Sequence, residues 1–412
     1  MSNLTRTVAF ASQLYREKAA VAYAGYVRRD PLARLSLRPG RANPYPLYEQ
    51  LRARGPLTMT SQGLWASTSH RVCSALLRDR RFGVTPEDPA EPDEMELSFL
   101  GMNPPDHTRL RRIATPAFSP KAVATYTPRI EQVAGELLDE AARNEEFDLV
   151  SMFAAPLPIA VITALLGVPE SDAATFTRYG VLIGGALDGI RSLRHAAQLQ
   201  AADEELRQLF ERLFALRRVE PRDDVVSHIV AAEGDQIRPE EMLPICYLLL
   251  IAGFETTANL ISNGVIALLG HREQWKALCT DPAGLAQKVV EETLRYDSPV
   301  HLTGRHALET AEVEGQQIRK GQEILTLLAA ANRDPEVYEN PATFDLGREN
   351  PAPHLAFSGG VHYCLGQPLA TLEARIAFRL IAERLPGLRQ AGPVTRRNAT
   401  IIRGPLTLPV AS

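Results

Sequence analysis

The chain of 412 residues has few cysteines and no large excess of charge of either sign. Its four cysteines form no Cys-x-x-Cys pair and are too sparse for a disulfide framework, which favours a reducing cytoplasm as its location. The 45 Lys and Arg residues nearly balance the 49 Asp and Glu residues, which argues against a protein that binds nucleic acid. With 45% hydrophobic residues, the composition is that of a folded globular protein and not of a disordered chain or a fibre.

The sequence also lacks a clear signal peptide and a clear membrane-spanning segment. In the N-terminal extension, residues 1–40, charged residues at positions 16–18 interrupt the apolar ones. We therefore expect the extension to form a helix docked on the body of the protein, in preference to a helix lying loosely on a membrane. The longest apolar run, residues 149–168, contains two prolines, so it predicts a buried core segment and no membrane span.

Helical periodicity predominates in the middle of the chain, and no repeat or long linker divides it. Apolar residues recur at spacings of three and four over residues 130–141 and 206–213. Two short segments, residues 56–68 and 313–327, have the turn residues and the alternation that are typical of strands. The length alone would allow two or three domains. We expect a single domain over residues 1–412, mainly α with small β-sheets.

The segment 357–366, FSGGVHYCLG, is the most informative part of the sequence. Cys364 lies where this glycine-rich loop enters a helix that the apolar spacing predicts from residue 368 onward. Unpaired N–H groups and the positive end of the helix dipole stabilise negative charge on a sulfur in that position. The flanking glycines suit the close approach of a large flat group, such as a haem bound through an axial sulfur. A lone cysteine is more commonly a small buried apolar residue, so this interpretation depends on the neighbouring residues.

A second segment, residues 244–257, is an apolar helix that ends in polar residues. After a long apolar run it acquires Gly253, Glu255, Thr256 and Thr257. Burying an acid and two hydroxyl groups costs several kcal/mol unless they find partners. One interpretation is a helix that leaves the core for solvent, and the other is a functional site inside the protein.

Two pairs of charged residues stand at helical spacing. Glu292 and Arg295, three residues apart, can form an ion pair on one face of a helix, although such pairs are common and weak at a surface. His107 and Arg111, four residues apart, follow a helix start marked by prolines and an aspartate. A solvated basic face is the simplest interpretation of the second pair when it is taken alone.

Taken together, these segments resemble the signature motifs of the cytochrome P450 family. The loop fits the family pattern Phe-x-x-Gly-x-His/Arg-x-Cys-x-Gly, and the polar end of the helix fits Ala/Gly-Gly-x-Glu/Asp-Thr. The Glu-x-x-Arg and His-Thr-x-x-Arg segments also resemble those of bacterial members, and all four lie in the family's order between residues 102 and 380. Ser358 is a departure, because the family usually has glycine after the Phe. The matching residues are Phe357, Gly360, His362, Cys364, Gly366, Ala252, Gly253, Glu255, Thr256, Glu292, Arg295, His107 and Arg111.

The resemblance implies the cytochrome P450 fold, a single triangular helical domain that encloses haem b between the cysteine loop and the helix of residues 253–256. Cys364 would be the metal ligand, the fifth ligand of the iron. Glu292 and Arg295 would form a buried structural pair, joined by Arg348. The haem propionates would be bound by cationic residues, namely His107, Arg111, Arg305 and His362. The remaining cofactor-binding residues would be Phe357, Gly360, Gly366 and Ala252.

The same resemblance implies a monooxygenase that inserts one atom of dioxygen into an organic substrate. A local distortion of the helix at this motif would open an oxygen pocket. In that pocket Thr256 would hydrogen-bond the oxygen molecule and Glu255 would help to relay protons, because splitting the O–O bond to release water consumes two protons. Electrons would come from a ferredoxin and its reductase, since the sequence has no flavin or iron–sulfur motif. Arg109 and Arg112 are candidate contacts for an acidic ferredoxin, with ordinary surface charge as the alternative.

The substrate is less constrained by the sequence. By resemblance, the pocket walls would come from residues 83–102, 179–190, 249–256 and 300–303, which are rich in apolar residues and favour an apolar or amphipathic compound. A lipid, a steroid, a terpenoid and a polyketide-type product are all compatible. Glycines between residues 184 and 189 suggest a mobile lid, or serve helix packing.

Three alternatives remain at this point. The first keeps the haem but changes the reaction to peroxide-driven oxygenation or to a rearrangement without oxygen. The second is a haem-binding sensor without turnover. The third treats His362 and Cys364 as part of a zinc site or as a nucleophile pair in a hydrolase, although two residues so close in sequence rarely complete a site.

Overall fold

The computed structural model describes residues 3–86, 97–169, 172–173, 175–176, 178–179, 182, 192–349, 352–397 and 399–412. Within these residues the protein is mainly helical with small β-sheets, as the sequence pattern predicts. The α-helices are α1 (Asn3–Ala22), α2 (Pro31–Leu35), α3 (Arg38–Ala42), α4 (Tyr45–Arg52), α5 (His70–Leu76), α6 (Asp106–Ala114), α7 (Pro120–Thr125), α8 (Thr127–Ala141), α9 (Pro156–Leu166), α10 (Leu193–Val219), α11 (Val225–Ala231), α12 (Pro239–Gly270), α13 (Arg272–Thr280), α14 (Pro282–Tyr296), α15 (Leu328–Ala331) and α16 (Gln367–Arg384).

The strands of the described residues are short and form four small sheets. A five-stranded sheet has the order β1-β2-β8-β5-β3, and only the β2–β8 pair in it is parallel. The others are β4-β12-β9 and the antiparallel pairs β6-β7 and β10-β11. The strands are β1 (Thr58–Met59), β2 (Trp65–Ser67), β3 (Phe82–Gly83), β4 (Glu146–Asp148), β5 (Thr303–Ala307), β6 (Ala311–Val313), β7 (Gln316–Ile318), β8 (Glu323–Thr326), β9 (Arg389–Gln390), β10 (Thr395–Arg396), β11 (Pro405–Thr407) and β12 (Pro409–Ala411).

Both segments with strand signals contain strands. The first, residues 56–68, holds β1 and β2, and its turn uses Gly63 at φ +79°. The second, residues 313–327, holds β7 and β8, and the β6–β7 hairpin turns through Glu314 and Gly315 at φ +52° and +70°. Two consecutive residues with positive φ are what a tight hairpin turn requires, because its twist then matches that of the strands.

The long apolar helix α12 runs through the largest hydrophobic core. It packs against α9, α14 and α16, and it begins with a proline at its first position and an acidic first turn. Among the described helices, α12 is the one long and apolar enough to cross a membrane, but 83% of its apolar window is buried inside the protein. The apolar run at residues 149–168 is also core, and most of its second half forms the buried helix α9.

The N-terminal helix α1 is largely exposed where its side chains are described. In residues 11–22, the part of α1 whose exposure is described, no residue is buried. The side chain of Tyr15 is 55% exposed, and charged residues at positions 16–18 are also exposed. From residue 11 onward, the first buried residues are Ala24 and Gly25, in the short π-helix that follows α1. Residues 11–22 are thus largely exposed, because their few apolar side chains are dispersed among charged ones, although α1 contacts α2. The docking of the whole extension, residues 1–40, stays a prediction.

The predicted structural pair is buried and closely bonded. Arg295 Nη2 and Nε donate to the two carboxylate oxygens of Glu292 at 2.7 and 2.8 Å, and neither side chain is more than 3% exposed. Arg348 Nε lies 3.3 Å from Glu292 Oε1, which makes it the third member of the group. Arg295 also donates to three backbone carbonyls, those of Asn332, Pro341 and Thr343. These bonds connect α14 to the segment that leads toward the cysteine loop.

Candidate active site

Cys364 lies three residues before the first residue of α16. Backbone N–H groups of Gly366 and Gln367 hydrogen-bond its sulfur, as expected for a side chain at the N-terminal end of a helix. Burial nevertheless raises the pKa of the Cys364 thiol, and these two N–H groups and the Arg111 guanidinium only partly offset that rise. The N–H groups that were expected to stabilise a thiolate are therefore present. In the protein alone, desolvation disfavours the charged sulfur by more than these hydrogen bonds favour it.

The loop before Cys364 is held by its own backbone. Cys364 N donates to the Phe357 carbonyl at 3.0 Å, and Tyr363 N donates to the Gly360 carbonyl at 3.1 Å. Gly360 has φ +65°, and a Cβ there would come within 2.2 Å of the Leu77 carbonyl oxygen. Glycine is therefore required by the close approach of the loop to the end of α5, and not by room for a cofactor as we interpreted from the sequence.

Two other residues of the loop behave differently from Gly360. A Cβ on Gly366 would meet only Phe118, at 3.9 Å, so the described protein atoms leave space there. Ser358 has φ +62°, a left-handed conformation that costs a residue other than glycine on the order of 1–3 kcal/mol. The departure from the family pattern at Ser358 thus falls at a position where the backbone favours glycine.

Three segments that are distant in sequence bring four basic residues together in one cluster beside the loop. The rings of His107 on α6 and His362 in the loop are 4.2 Å apart between centroids. Arg111, one turn after His107, donates from Nη2 to the Tyr363 carbonyl at 2.6 Å. Arg305, on β5, is close enough for its charge to lower the pKa of His362. The structure therefore brings together the residues of this cationic cluster, His107, Arg111, Arg305 and His362, next to Cys364.

The cationic cluster has no anionic partner among the described residues. Desolvation lowers the pKa of Arg305 to about 10 and, with the neighbouring cations, that of His362 to about 3. Neither ring nitrogen of His107, nor His362 Nε2, has a hydrogen-bond partner in the described part of the chain. The lowered pKa values keep the two imidazoles neutral, so the positive charge of the cluster is that of Arg111 and Arg305. Removing these two guanidinium groups from water is unfavourable unless negative charge offsets theirs. The residues present therefore fit a buried group that carries carboxylates, as the two propionates of a haem would.

The polar end of the apolar run lies in the middle of α12. Ala252 is exposed and Gly253 and Thr256 are half-buried, although their neighbours in the helix are buried. Thr256 Oγ1 donates to the Ala252 carbonyl at 3.0 Å, and α12 is a continuous α-helix at this point. The local helix distortion that the family resemblance implied is not present. An accessible face nevertheless opens in the middle of a core helix, so the interpretation of a helix leaving for solvent is wrong.

Glu255, on the same turn, is buried and paired. Its Oε1 accepts from Nη1 of Arg397, which follows β10 near the end of the chain. Sequence reasoning missed Arg397, because it belongs to no recognisable motif and follows another arginine. Gly253 also has a packing role, since a Cβ there would lie 3.0 Å from Ile162 Cδ1 on α9. Two of the polar-end residues thus have structural partners that only the fold reveals.

Some expectations are corrected or cannot be placed. Arg109 is already bonded to Asp106 and Glu241, whereas Arg112 is exposed and has no ion pair within the described part of the chain. Residues 87–96 and most of 179–190, including the three glycines of the suggested lid, lie outside the described residues. No group of three His, Cys, Asp or Glu residues in the described ranges could hold a metal ion, which leaves the zinc alternative without a site there.

Comparisons with known proteins agree on one family. A family profile described as "Cytochrome P450" matches residues 284–385. The biotin biosynthesis cytochrome P450 of Bacillus subtilis is 38% identical over 360 residues, which cover 85% of this chain and 91% of that protein. The cytochrome P450 monooxygenase PikC of Streptomyces venezuelae is 38% identical over 388 residues, 90% of this chain and 91% of that protein.

The same likeness extends to solved structures. The crystal structure of P450BioI in complex with an acyl carrier protein ligated to hexadec-9Z-enoic acid superimposes with a TM-score of 0.85. It is 36% identical in sequence, and the match covers 90% of this chain and 98% of that one. Sequence and fold are therefore similar over nearly the whole length of both chains.

Proposed function

The chain belongs to the cytochrome P450 family, and from that premise we propose that it is a haem-thiolate monooxygenase of apolar or amphipathic organic compounds. The observation that carries the proposal is the cationic cluster beside Cys364, which is partly buried and has no anionic partner among the described residues. A haem bound through the cysteine sulfur would bring two carboxylates to that cluster. The face of α12 at Ala252, Gly253 and Thr256 supports the proposal, because it is accessible inside an otherwise buried helix.

We propose that Cys364 is the metal ligand and that the cationic cluster holds the propionates. Phe357, Gly360, Gly366 and Ala252 complete the cofactor site, Gly360 by keeping the loop close to Leu77 and Gly366 by leaving space above Phe118. Haem b, when bound, supplies the centre at which dioxygen is reduced so that one oxygen atom enters the substrate and the other leaves as water. The residues of the chain bind and orient that group and manage the protons.

Thr256 and Glu255 are the proposed catalytic residues. The Thr256 hydroxyl donates a hydrogen bond to the Ala252 carbonyl. Its oxygen can accept a second hydrogen bond while the first one remains. Glu255 Oε1 is held by Arg397, so the carboxylate must release this partner, or use its second oxygen, to hand on a proton. We propose that protons reach the accessible face of α12 through these two side chains.

Replacing Thr256 with alanine is expected to uncouple the reaction. Haem content and substrate binding stay at parental levels, because Thr256 makes no bond to the cationic cluster among the described residues. Product formation falls by on the order of 100-fold, the low end of the contribution of a positioned proton-transfer group, and hydrogen peroxide accumulates in its place. The measurement is the ratio of product to nicotinamide cofactor consumed.

Thr257→Ala is the matched control for that experiment. Thr257 carries the same group one residue later, is buried, and donates to the Gly253 carbonyl at 3.3 Å. It is expected to keep its coupling ratio near that of the parent. Equal coupling in Thr256→Ala and the parent would remove Thr256 from the proton path.

The electron donors remain part of the proposal. We propose a ferredoxin and its reductase in the cytoplasm as the supply, because the sequence contains no flavin or iron–sulfur motif of its own. Arg112 is exposed on α6, next to Arg111 of the cationic cluster, and can meet an acidic surface. No membrane span and no nucleic acid are required by this arrangement.

The substrate class is proposed at the level of a lipid, steroid, terpenoid or polyketide-type compound. Long acyl chains are the first class to test, because the solved relative described above was crystallised with such a chain on an acyl carrier protein. The accessible part of α12 is flanked by buried Leu249, Leu250 and Ile251, which favours an apolar contact surface near it.

The proposed function is tested by turnover under oxygen-18 gas. Haem-loaded protein is supplied with a ferredoxin, its reductase and a reduced nicotinamide cofactor, with hexadec-9Z-enoic acid either free or carried on an acyl carrier protein. Steroid and macrolactone panels provide the other classes. The expected result is a product that contains one labelled oxygen atom in at least one arm, preceded by a spin-state shift when that compound is added.

The outcomes separate the alternatives. Product that forms only with added peroxide would support peroxide-driven oxygenation and contradict the proposal. A rearranged product without the label would support a rearrangement without oxygen and would also contradict the proposal. Haem that responds spectrally to ligands but gives no product in any arm would favour a sensor.

A further inference from the structure

Ser358 is the one residue of the cysteine loop that departs from the family pattern, and its backbone is left-handed. At φ +62° the position favours glycine, and the chain keeps a serine there. Gly360, two residues later, has a similar φ of +65° and is glycine, as its close approach to Leu77 requires. Of these two left-handed positions, only that of Ser358 carries a side chain, although glycine would adopt this backbone conformation at a lower cost in free energy.

The Ser358 side chain reaches across to β5. Its Oγ accepts a hydrogen bond from Arg305 Nη2 at 3.3 Å. Arg305 is 2% exposed, and its other guanidinium nitrogen, Nη1, donates to Thr303 Oγ1 at 3.1 Å and to the Gly304 carbonyl at 2.7 Å. Two of the three acceptors thus lie on the same strand as Arg305, and Ser358 supplies the only one of the three from another element.

The bonds of Arg305 leave part of the guanidinium available. It has five N–H groups, of which three donate to Thr303, Gly304 and Ser358. The N–H on Nε and one N–H on Nη2 have no acceptor among the described residues, and Nε and Nη2 are adjacent. An arginine that offers two adjacent N–H groups can bind a carboxylate in a bidentate manner.

We infer that Ser358 is a positioning residue that holds the Arg305 guanidinium so that its free N–H groups meet a haem propionate. This inference rests on the proposed function, because it takes the haem as the source of the carboxylate. Without the serine hydroxyl, Arg305 keeps only the bonds of Nη1 to its own strand, and Nη2 can turn away. The serine therefore links the loop that carries Cys364 to the strand that carries Arg305.

The test compares Ser358→Gly and Ser358→Ala. Glycine relaxes the left-handed backbone and alanine does not, but both remove the hydroxyl. We expect both variants to lose haem about tenfold faster than the parent, the ratio that corresponds to one hydrogen bond to a charged group. The measurement is the rate of haem transfer to an excess of haem-free myoglobin. In thermal unfolding of the haem-loaded variants, Ser358→Gly is expected to be more stable than Ser358→Ala, because only glycine relaxes the left-handed backbone.

Arg305→Gln provides the second half of the test. Alone it is expected to accelerate haem transfer, and in its presence Ser358→Gly is expected to cause no further acceleration, because the two residues act through one contact. Ser358→Thr, which restores a hydroxyl, should retain haem better than Ser358→Ala.

The outcomes distinguish failure of the inference from failure of the proposed function. Parental haem transfer rates in both serine variants would overturn the positioning role of Ser358 while leaving the cofactor site intact. An accelerated rate that persists undiminished in the Arg305→Gln background would also overturn it. Parental haem transfer in Arg305→Gln alone would remove Arg305 from the propionate site, and the role of Ser358 with it. A parent protein that never shows the thiolate-ligated haem spectrum would contradict the proposed function itself.

Discussion

Cys364→Ala is expected to abolish the red-shifted Soret band that reduced thiolate-ligated haem gives under carbon monoxide. Alanine has no lone pair to offer, and the N–H groups of Gly366 and Gln367 that now bond the sulfur would be left without it. Monooxygenase activity should fall below detection, because the thiolate would supply the electron density for the proposed reaction. This is the largest functional effect of any single substitution that the structure predicts. It is measured by the carbon monoxide difference spectrum of the reduced protein.

The cationic cluster makes a more specific expectation possible. His107, Arg111, Arg305 and His362 do not depend on the sulfur for their positions, since the described bonds of Arg111 and Arg305 go to Tyr363, Thr303, Gly304 and Ser358. The alanine variant should therefore still bind some haem, with a spectrum that lacks the thiolate. Cys364→Ala thus tests separately whether the protein binds haem and whether the bound haem has a sulfur ligand.

Cys279→Ala is the matched control. Cys279 is a half-buried thiol on α13, and its pKa is also raised by burial. Its removal should leave the spectrum and the turnover unchanged. An unaltered Soret band in Cys364→Ala, or its loss in Cys279→Ala, would contradict the assignment of the metal ligand.

Arg295→Met is expected to cause the largest loss of stability. The side chain of Arg295 is fully buried and that of Glu292 is 3% exposed, so methionine would leave the carboxylate without its bidentate partner. Removing one member of a buried ion pair typically costs about 3–5 kcal/mol. Total stabilities of folded proteins are about 5–15 kcal/mol, so this loss is a large share of the whole. Three backbone carbonyls would lose a donor as well.

The measurement is the midpoint of urea unfolding followed by circular dichroism, with haem-free protein to avoid a contribution from the cofactor. Arg295→Lys should lie between the parent and Arg295→Met, because lysine keeps the charge but not the planar fork. Arg207→Ala is the control: Arg207 and Glu204 have the same i,i+3 spacing, but both are exposed, so the change should be below about 1 kcal/mol. Equal midpoints for Arg295→Met and Arg207→Ala would contradict a structural role for the buried pair.

The sequence predicted the family and the fold class from four motifs, and the comparisons confirm both. The resemblance also implied the buried Glu292–Arg295–Arg348 group, and the structure confirms it. The Glu-x-x-Arg spacing alone showed only that acid and base share one helical face. The assignments of the cofactor and catalytic residues, and the single domain over residues 1–412, stay predictions. The distortion of α12 was wrong, since α12 is a continuous α-helix. The docking of the N-terminal extension and the contact of Arg109 and Arg112 with a ferredoxin stay predictions.

What the sequence determined by itself is local: residue types at fixed offsets, the period of apolar residues, and the turn residues that end strands and helices. These are set by backbone geometry over a few residues, so a pattern is sufficient to find Cys364 at the start of a helix or Gly63 in a turn. Only the tertiary structure decided which charges meet. Arg397 reaches Glu255, and Ser358 reaches Arg305, over separations of 142 and 53 residues. Electrostatic and hydrogen-bond energies depend on distance in space and on burial, and neither is encoded in the spacing along the chain.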